Sequence, residues 1–194
     1  MEIPHVVYTL LEWSAFLTGL IYIFYAAKND YRCWYWGIFS CAAWMFVTVN
    51  VYGLYADGVL QFFYVVMGFI GLYQWRKGGN GEELPISHLN WAQRLGIAFG
   101  GMLLSFAGGY FLSQYTEAMA TYVDSGTTVF SIIATVLLIQ KKTESWPLWV
   151  VVNSAYIGLY ISRDATLFAL LFVVYNILAI YGWYNWRKEG LVNI

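Results

Sequence analysis

One apolar stretch near the end of the chain limits what this protein can be. Residues 166–186 contain no charged side chain, and Arg187 and Lys188 follow at once. A helix that crosses a bilayer needs about 20 apolar residues. Aromatic residues followed by basic ones are typical of its cytoplasmic end. Because the stretch also carries the amide of Asn176 near its middle, it predicts a membrane-spanning helix with a polar group at depth.

The charge content extends this prediction to the whole chain. Only 11% of the residues are charged and 60% are hydrophobic, whereas about 25% of the residues of a soluble domain are charged. The apolar runs are long and continuous, which favours helices over alternating strands. We therefore predict an all-α integral membrane protein, a single transmembrane domain over residues 1–194. Its expected partner is the lipid bilayer, with no nucleic acid.

Seven apolar runs divide the chain. They lie at about residues 8–27, 33–52, 59–75, 95–112, 125–140, 146–160 and 166–186. With seven spans, one side of the membrane receives Arg163 alone among the ten basic residues. The other side receives Lys28, Arg32, Arg76, Lys77, Arg94, Lys141, Lys142, Arg187 and Lys188. Because basic residues stay in the cytoplasm, the N-terminus is predicted outside a cell (inner) membrane and the C-terminus inside.

Matching segments predict an internal repeat. The ending Gln74-Trp-Arg-Lys77 resembles Asn185-Trp-Arg-Lys188, and Gly53-Leu54-Tyr55 resembles Gly158-Leu159-Tyr160. The second run opens with Trp34-Tyr-Trp36 and the sixth with Trp146-Pro-Leu-Trp149. Residues 8–75 and 125–186 are thus predicted to be two three-helix repeats, with residues 95–112 as a linker helix. An odd helix between them makes the repeats parallel, an arrangement typical of transporters with a site between the halves.

Polar residues within the apolar runs are the candidates for substrate binding. An unpaired amide or hydroxyl costs several kcal/mol in hydrocarbon, so such groups face a neighbouring helix or a wet cavity. The candidate amides are Asn50, Gln61, Asn153 and Asn176, and the hydroxyls of Thr128, Ser131 and Thr135 form one helical stripe. For the hydroxyls, adhesion between helices is an equal alternative.

Aromatic residues add a second type of candidate. Asn176, Trp183 and Trp186 fall on one helical face, where an amide beside an aromatic plane suits a small ring-bearing ligand. The alternative for the tryptophans is an interfacial belt. Near the outer face, Tyr55, Asp57 and Asp124 are expected to be loop residues or gate formers, and Trp36 is a further gate candidate.

No pattern in the chain predicts catalysis. His5 and His88 lie outside the apolar runs and near no metal-ligand or nucleophile pattern, so we expect no enzyme, no metal and no cofactor. Among the acids, only Glu12 is placed to enter the membrane. Ion-driven carriers keep carboxylates at depth, so the sequence predicts facilitated diffusion, with the substrate consumed in the cytosol.

These motifs together resemble the PnuC family of vitamin transporters. The resemblance covers nearly the whole chain and is carried by the following segments: Gly53-Leu-Tyr-Ala-Asp57, Gly71-Leu-Tyr-Gln-Trp75-Arg-Lys, Asp124-Ser-Gly-Thr-Thr128, Lys142-Thr-Glu-Ser-Trp146 and Gly182-Trp-Tyr-Asn-Trp186-Arg-Lys. It implies a fold of three, one and three helices related to SWEET carriers, and a homotrimer. It also implies facilitated uptake of a vitamin precursor, chiefly nicotinamide riboside, that a cytosolic kinase traps by phosphorylation.

The resemblance also marks the substrate contacts and leaves the substrate open. It implies that Asn176, Trp183, Trp186 and the polar face of the fifth span contact the substrate. Nicotinamide riboside carriers often have Gln at Thr135 and Asp at Asn153. Thiamine or riboflavin is therefore an alternative substrate within the family, and a seven-span receptor or structural protein is the alternative of another class.

Overall fold

Helices account for nearly all of the structure. The computed structural model describes residues 5–53, 55–78, 81–115, 121–162 and 166–192. Within these ranges the helices are α1 (His5–Ala27), α2 (Cys33–Asn50), α3 (Tyr55–Lys77), α4 (Trp91–Tyr115), α5 (Thr121–Ile139), α6 (Ser145–Ser162) and α7 (Thr166–Val192). The described residues are therefore all-helical apart from short links, as the sequence predicts. Arg163, the basic residue assigned to the outer side, lies outside the described residues.

Five of these helices are long and apolar enough to cross a membrane. Within the described residues they are Val6–Ala27, Asp57–Lys77, Trp91–Tyr115, Thr121–Ile139 and Ala169–Gly190. The remaining two, α2 and α6, have 18 residues each and mix polar and indole groups into the apolar sequence. Each also packs against a helix on either side, α2 between α1 and α3 and α6 between α5 and α7.

Several helices begin earlier than the sequence predicts, which corrects the assignment of three candidates to loops. Tyr55 and Asp57 lie in α3 and Asp124 in α5, and both acids fall in the first helical turn. A carboxylate there is favoured by the helix dipole. The start of α4 has a capping box, because Asn90 Oδ1 accepts from the amide of Gln93 at 2.8 Å while Gln93 Oε1 accepts from the amide of Asn90 at 3.0 Å.

The chain divides into two compact units, residues 1–84 and 85–194. In the first unit, α1 packs on α2 and α2 packs on α3. The centre of this packing is an indole pair, with the rings of Trp34 and Trp75 at 5.4 Å and 88°. Gly71 leaves room for it, because a Cβ there would lie 2.5 Å from the Trp34 ring. Ser40 ties α2 to α1 by donating to the Ala15 carbonyl at 2.7 Å.

In the second unit, α4 packs on α5, α5 on α6 and α6 on α7. Ser125 Oγ joins α5 to α4 by donating to the Ser105 carbonyl at 2.9 Å. The rings of Trp146 and Trp186 meet at 5.4 Å and 85°, and a Cβ at Gly182 would lie 2.7 Å from the Trp146 ring. The segment before α4 runs beside the α5–α6 link, where Ser87 pairs with Lys142.

The links that follow α1 and α5 have the same backbone geometry. Two residues after each helix, Asn29 and Lys141 have positive φ angles of 56° and 49°. The next amide reaches back to the helix, from Asp30 to the Tyr25 carbonyl and from Lys142 to the Leu137 carbonyl. These bonds satisfy the last helical carbonyls as in a Schellman motif.

The structure corrects one of the matches made from sequence. Gly53 lies beyond the end of α2 with a φ of 64°, whereas Gly158 lies inside α6. The two glycines therefore hold different positions. Helix bounds give the better correspondence, since α2 and α6 begin at Cys33 and Ser145 and are equally long.

Candidate functional site

An unsatisfied amide oxygen lies between α6 and α7. Asn176 Nδ2 donates to Ser154 Oγ at 3.0 Å, and Ser154 Oγ in turn donates to the Val150 carbonyl at 2.7 Å. Asn176 Oδ1 is buried and has no hydrogen-bond partner among the described residues. Leaving a buried acceptor unpaired costs about 1–3 kcal/mol. An N–H group of a ligand would remove that cost, so Asn176 is the centre of the candidate site.

Four aromatic rings form a cluster on the same two helices as this amide. Phe172, one turn before Asn176 on α7, is 4.7 Å from the ring of Tyr156 and 5.4 Å from that of Tyr160, both on α6. Tyr175 meets Phe172 edge-on at 5.5 Å. Stacked rings of this kind form a wall against which a planar or cationic ring can pack. Sequence analysis missed these four residues, although the spacing of Tyr156 and Tyr160 on one helical face was the available signal.

Asn153 is the second buried amide of this unit. It lies next to Ser154 on α6 and is 5% exposed. Asn153 and Asn176, which the sequence analysis names separately as candidate amides, thus lie on two helices that pack on each other.

The hydroxyl stripe of α5 bonds to its own helix. Thr128 donates to the Asp124 carbonyl at 2.8 Å, Ser131 to the Thr127 carbonyl, and Thr135 to the Ser131 carbonyl at 2.8 Å. Ser and Thr commonly satisfy their donors in this way inside helices. Their hydroxyl oxygens remain available only as acceptors. Adhesion to a neighbouring helix comes from Ser125 instead.

The two tryptophans of α7 have different surroundings. Trp186 is 0% exposed and packs on Trp146, ten residues from Asn176 or about 15 Å along the helix axis. Trp183 is 37% exposed and lines a cavity at the end of α7. The structure therefore places neither indole beside Asn176, and it makes Trp186 part of the packing.

The candidates of the first unit are more exposed. Asn50 is exposed, and its amide donates to the Phe46 carbonyl of its own helix at 2.8 Å. Gln61 is half-buried on α3, Trp36 is 40% exposed on α2, and Tyr55 is 72% exposed. Asp57 is exposed as well, and Asp124 in the second unit is half-buried.

The carboxylate of Glu12, on α1, is hydrogen-bonded to a residue just beyond the end of α2. Its carboxylate accepts a hydrogen bond from the Tyr52 hydroxyl at 2.5 Å, and this bond raises the pKa of Tyr52. Tyr52 lies just beyond the end of α2, so Glu12 is held near that end. Among the described helical residues, the other acids, Asp57, Asp124 and Glu189, lie within the first or last turns.

Comparison with known proteins gives consistent matches over most of the chain. The sequence model of the nicotinamide mononucleotide transporter family matches residues 9–188. The chain is 27% identical to the nicotinamide riboside transporter PnuC of Neisseria mucosa over 90% of this chain and 70% of that protein. It is 23% identical to the transporter of the same name from Haemophilus influenzae, over 91% of this chain and 80% of the relative.

A solved structure has the same fold. The structure described as the crystal structure of the vitamin B3 transporter PnuC superposes with a TM-score of 0.76 at 27% identity. The match covers 95% of this chain and 83% of that one.

Proposed function

Because the chain belongs to the nicotinamide mononucleotide transporter family, we propose that this multi-pass membrane protein takes up nicotinamide riboside. The relatives that match over most of its length are named for that substrate. A transport role accounts for the polar groups between apolar helices, and we infer that the protein is not an enzyme.

The buried, unpartnered Oδ1 of Asn176 carries this proposal. Nicotinamide riboside has a carboxamide, whose N–H groups can donate to that oxygen. Its pyridinium ring is planar and positively charged, and the faces of Phe172, Tyr156 and Tyr160 suit such a ring. Asn153, Thr128, Ser131 and Thr135 are the proposed secondary contacts, through their oxygens to the ribose hydroxyls. Uptake of labelled nicotinamide riboside by proteoliposomes tests the assignment directly.

Thiamine is the second candidate substrate. Buried Asn153 stands where the resemblance to nicotinamide riboside carriers often gives an Asp, and an amide reads a ligand differently from a carboxylate. Competition against labelled nicotinamide riboside by unlabelled thiamine and riboflavin decides between them. Stronger competition by thiamine than by unlabelled nicotinamide riboside would contradict the first assignment.

Transport is proposed to follow the substrate gradient, with phosphorylation by a cytosolic kinase trapping the product. Support comes from the position of the acids, since Glu12 is already bonded to Tyr52 and the others described lie in terminal turns. No described carboxylate is thus placed at mid-helix to bind a coupling ion.

A proton or sodium ionophore is therefore expected to leave the initial uptake rate unchanged. The measurement is uptake by proteoliposomes with and without each ionophore, and with the gradient of nicotinamide riboside reversed. Reversal should produce efflux at a similar rate. Collapse of uptake with either ionophore would contradict facilitated diffusion.

We propose that seven helices span the membrane in a three, one, three order, as two parallel repeats. Support comes from the corresponding bounds of α2 and α6, the equivalent links at Asn29 and Lys141, and the matching indole pairs. The indole nitrogens of Trp34 and Trp146 are also both buried without a partner among the described residues. A homotrimer, in the inner membrane, is the proposed assembly.

Reporters fused to each end are expected to place the N-terminus outside and the C-terminus in the cytoplasm. This follows because nine of the ten basic residues fall on one side when seven helices cross. Alkaline phosphatase, active outside, and green fluorescent protein, fluorescent inside, give opposite readouts at the two ends. Two ends on the same side would contradict the seven-span arrangement.

A further inference from the structure

A cavity of about 410 Å³ lies at the end of the second unit that carries its basic residues. It is lined by His88, Arg94, Thr143, Glu144, Pro147, Trp183 and Arg187. These residues come from the segment around the start of α4, the start of α6 and the end of α7. The volume is within the range of small-molecule sites, about 300–1,000 Å³.

Some charged side chains of this cavity have ion-pair partners and others do not. Glu144 Oε1 accepts from Arg94 Nη2 at 2.6 Å, and Glu144 Oε2 accepts from the Leu89 amide at 3.1 Å. His88 Nδ1 lies 3.9 Å from the same carboxylate. The carboxylate of Glu144 is therefore engaged and offers little to a cation. Its partner Arg94 is neutralised in turn.

Arg187 is the charged residue of this cavity that has no ion-pair partner among the described residues. Its guanidinium lies 5.8 Å from the centre of the Trp183 ring, and no carboxylate among the described residues is within ion-pair distance of it. A planar guanidinium in this situation matches the oxygens of a phosphate, to which it can donate two parallel hydrogen bonds. The cavity thus favours an anion, with an exposed indole beside it.

The first unit shows that packing of the indole pair does not require a tryptophan at the position of Trp183. At the corresponding positions it has Leu72 for Trp183, and Arg76 for Arg187. The guanidinium of Arg76 lies over the ring of Tyr31 at 5.3 Å. The indole pair is present in both units, whereas an indole at the position of Trp183 is present in the second unit alone.

We propose that this cavity binds an aromatic phosphate monoester from the cytosol, with the phosphate on Arg187 and the ring on Trp183. The choice of ligand rests on the proposed function, because the phosphorylated form of nicotinamide riboside belongs to this chemical class. The bound product occupies the cytoplasmic end of α7 and slows further uptake. The accumulating product thereby limits its own supply.

Calorimetry on the purified full-length chain tests this proposal, in nanodiscs of zwitterionic lipid with nicotinamide mononucleotide as the probe. Binding is expected for the unmodified chain and is expected to weaken at least tenfold in Arg187→Gln, with Arg187→Lys between the two. Arg76→Gln is the matched control, because it removes the corresponding arginine of the first unit and is expected to bind as the unmodified chain does. Equal melting temperatures establish that the variants are folded.

Three results would overturn the proposal. The first is the absence of binding to the unmodified chain, or equal binding by Arg187→Gln. The second is inorganic phosphate binding as tightly as the mononucleotide, which would leave no role for Trp183. The third is loss of the binding in nanodiscs that contain anionic phospholipid, which would assign the phosphate site to a lipid headgroup. Because calorimetry does not depend on transport, failure of nicotinamide riboside uptake would contradict the proposed function separately.

Discussion

Replacing Asn176 with leucine is expected to lower nicotinamide riboside uptake by roughly 5- to 150-fold. The substitution removes the buried Oδ1 that has no partner among the described residues. A ligand N–H that leaves water without gaining an acceptor costs about 1–3 kcal/mol, which corresponds to this loss in rate or affinity. Initial rates in proteoliposomes, over a range of substrate concentrations, measure the effect.

Two further variants separate recognition from packing. Ile177→Leu changes the neighbouring residue, whose side chain is 61% exposed, and is expected to leave uptake unchanged. Ser154→Ala removes the partner of Asn176 Nδ2 but leaves Oδ1 in the site, so a smaller loss is expected. Full uptake by a folded Asn176→Leu protein would make this amide a packing group and remove the basis of the assignment.

The sequence marks Asn176 as a candidate for substrate binding but does not predict the surroundings of its side chain. One amide within an apolar run is conspicuous because burial in lipid is costly. Ser154 and Phe172 gave no comparable signal, since a serine or a phenylalanine in an apolar helix has many ordinary explanations. Which helix α7 packs against decides their role, and that information comes from tertiary contacts.

The tryptophans of α7 show a second limit of sequence analysis. Trp183 and Trp186 share one helical face by spacing, so the sequence analysis predicts the same role for both. In the structure Trp186 packs on Trp146, whereas Trp183 lines a cavity. The matching segments of the sequence contain the distinction, because the ending Gln74-Trp-Arg-Lys77 aligns Trp75 with Trp186, and it aligns Leu72 with Trp183. Under the proposed repeat, residues that the two segments share belong to the packing, so residues that differ are the better functional candidates.

The helix bounds illustrate a third limit. Of the described helices, α2 and α6 are not apolar enough to count as candidate spans, because they are enriched in indoles and polar groups, although the sequence analysis assigns an apolar run to each. The starts of α3, α4 and α5 were predicted too late for a related reason. Polar residues such as Asp57, Asn90 and Asp124 are read as loop residues, although they cap or favour helix starts.

Alanine at Gly182 or at Gly71 is expected to destabilise the protein by about 1–3 kcal/mol, the usual cost of overpacking. The new Cβ would lie 2.7 Å from the ring of Trp146 at Gly182, and 2.5 Å from that of Trp34 at Gly71. Both rings are 2% exposed and held edge-on by a second indole, so they cannot move aside freely. Thermal unfolding in detergent measures the loss.

Gly158→Ala is the matched control for these variants. It makes the same change inside α6, where a new Cβ would meet nothing within 4 Å. Alanine is favoured over glycine in a helix by about 0.5–1 kcal/mol, so this variant should be as stable as the unmodified protein or more so. Because the two indole pairs have nearly the same geometry, the losses at Gly71 and Gly182 should be similar. A stabilising effect of Gly182→Ala would mean that the contact between Gly182 and Trp146 does not hold α6 and α7 together. Unequal losses would mean that the stability of the two units does not depend equally on their indole pairs.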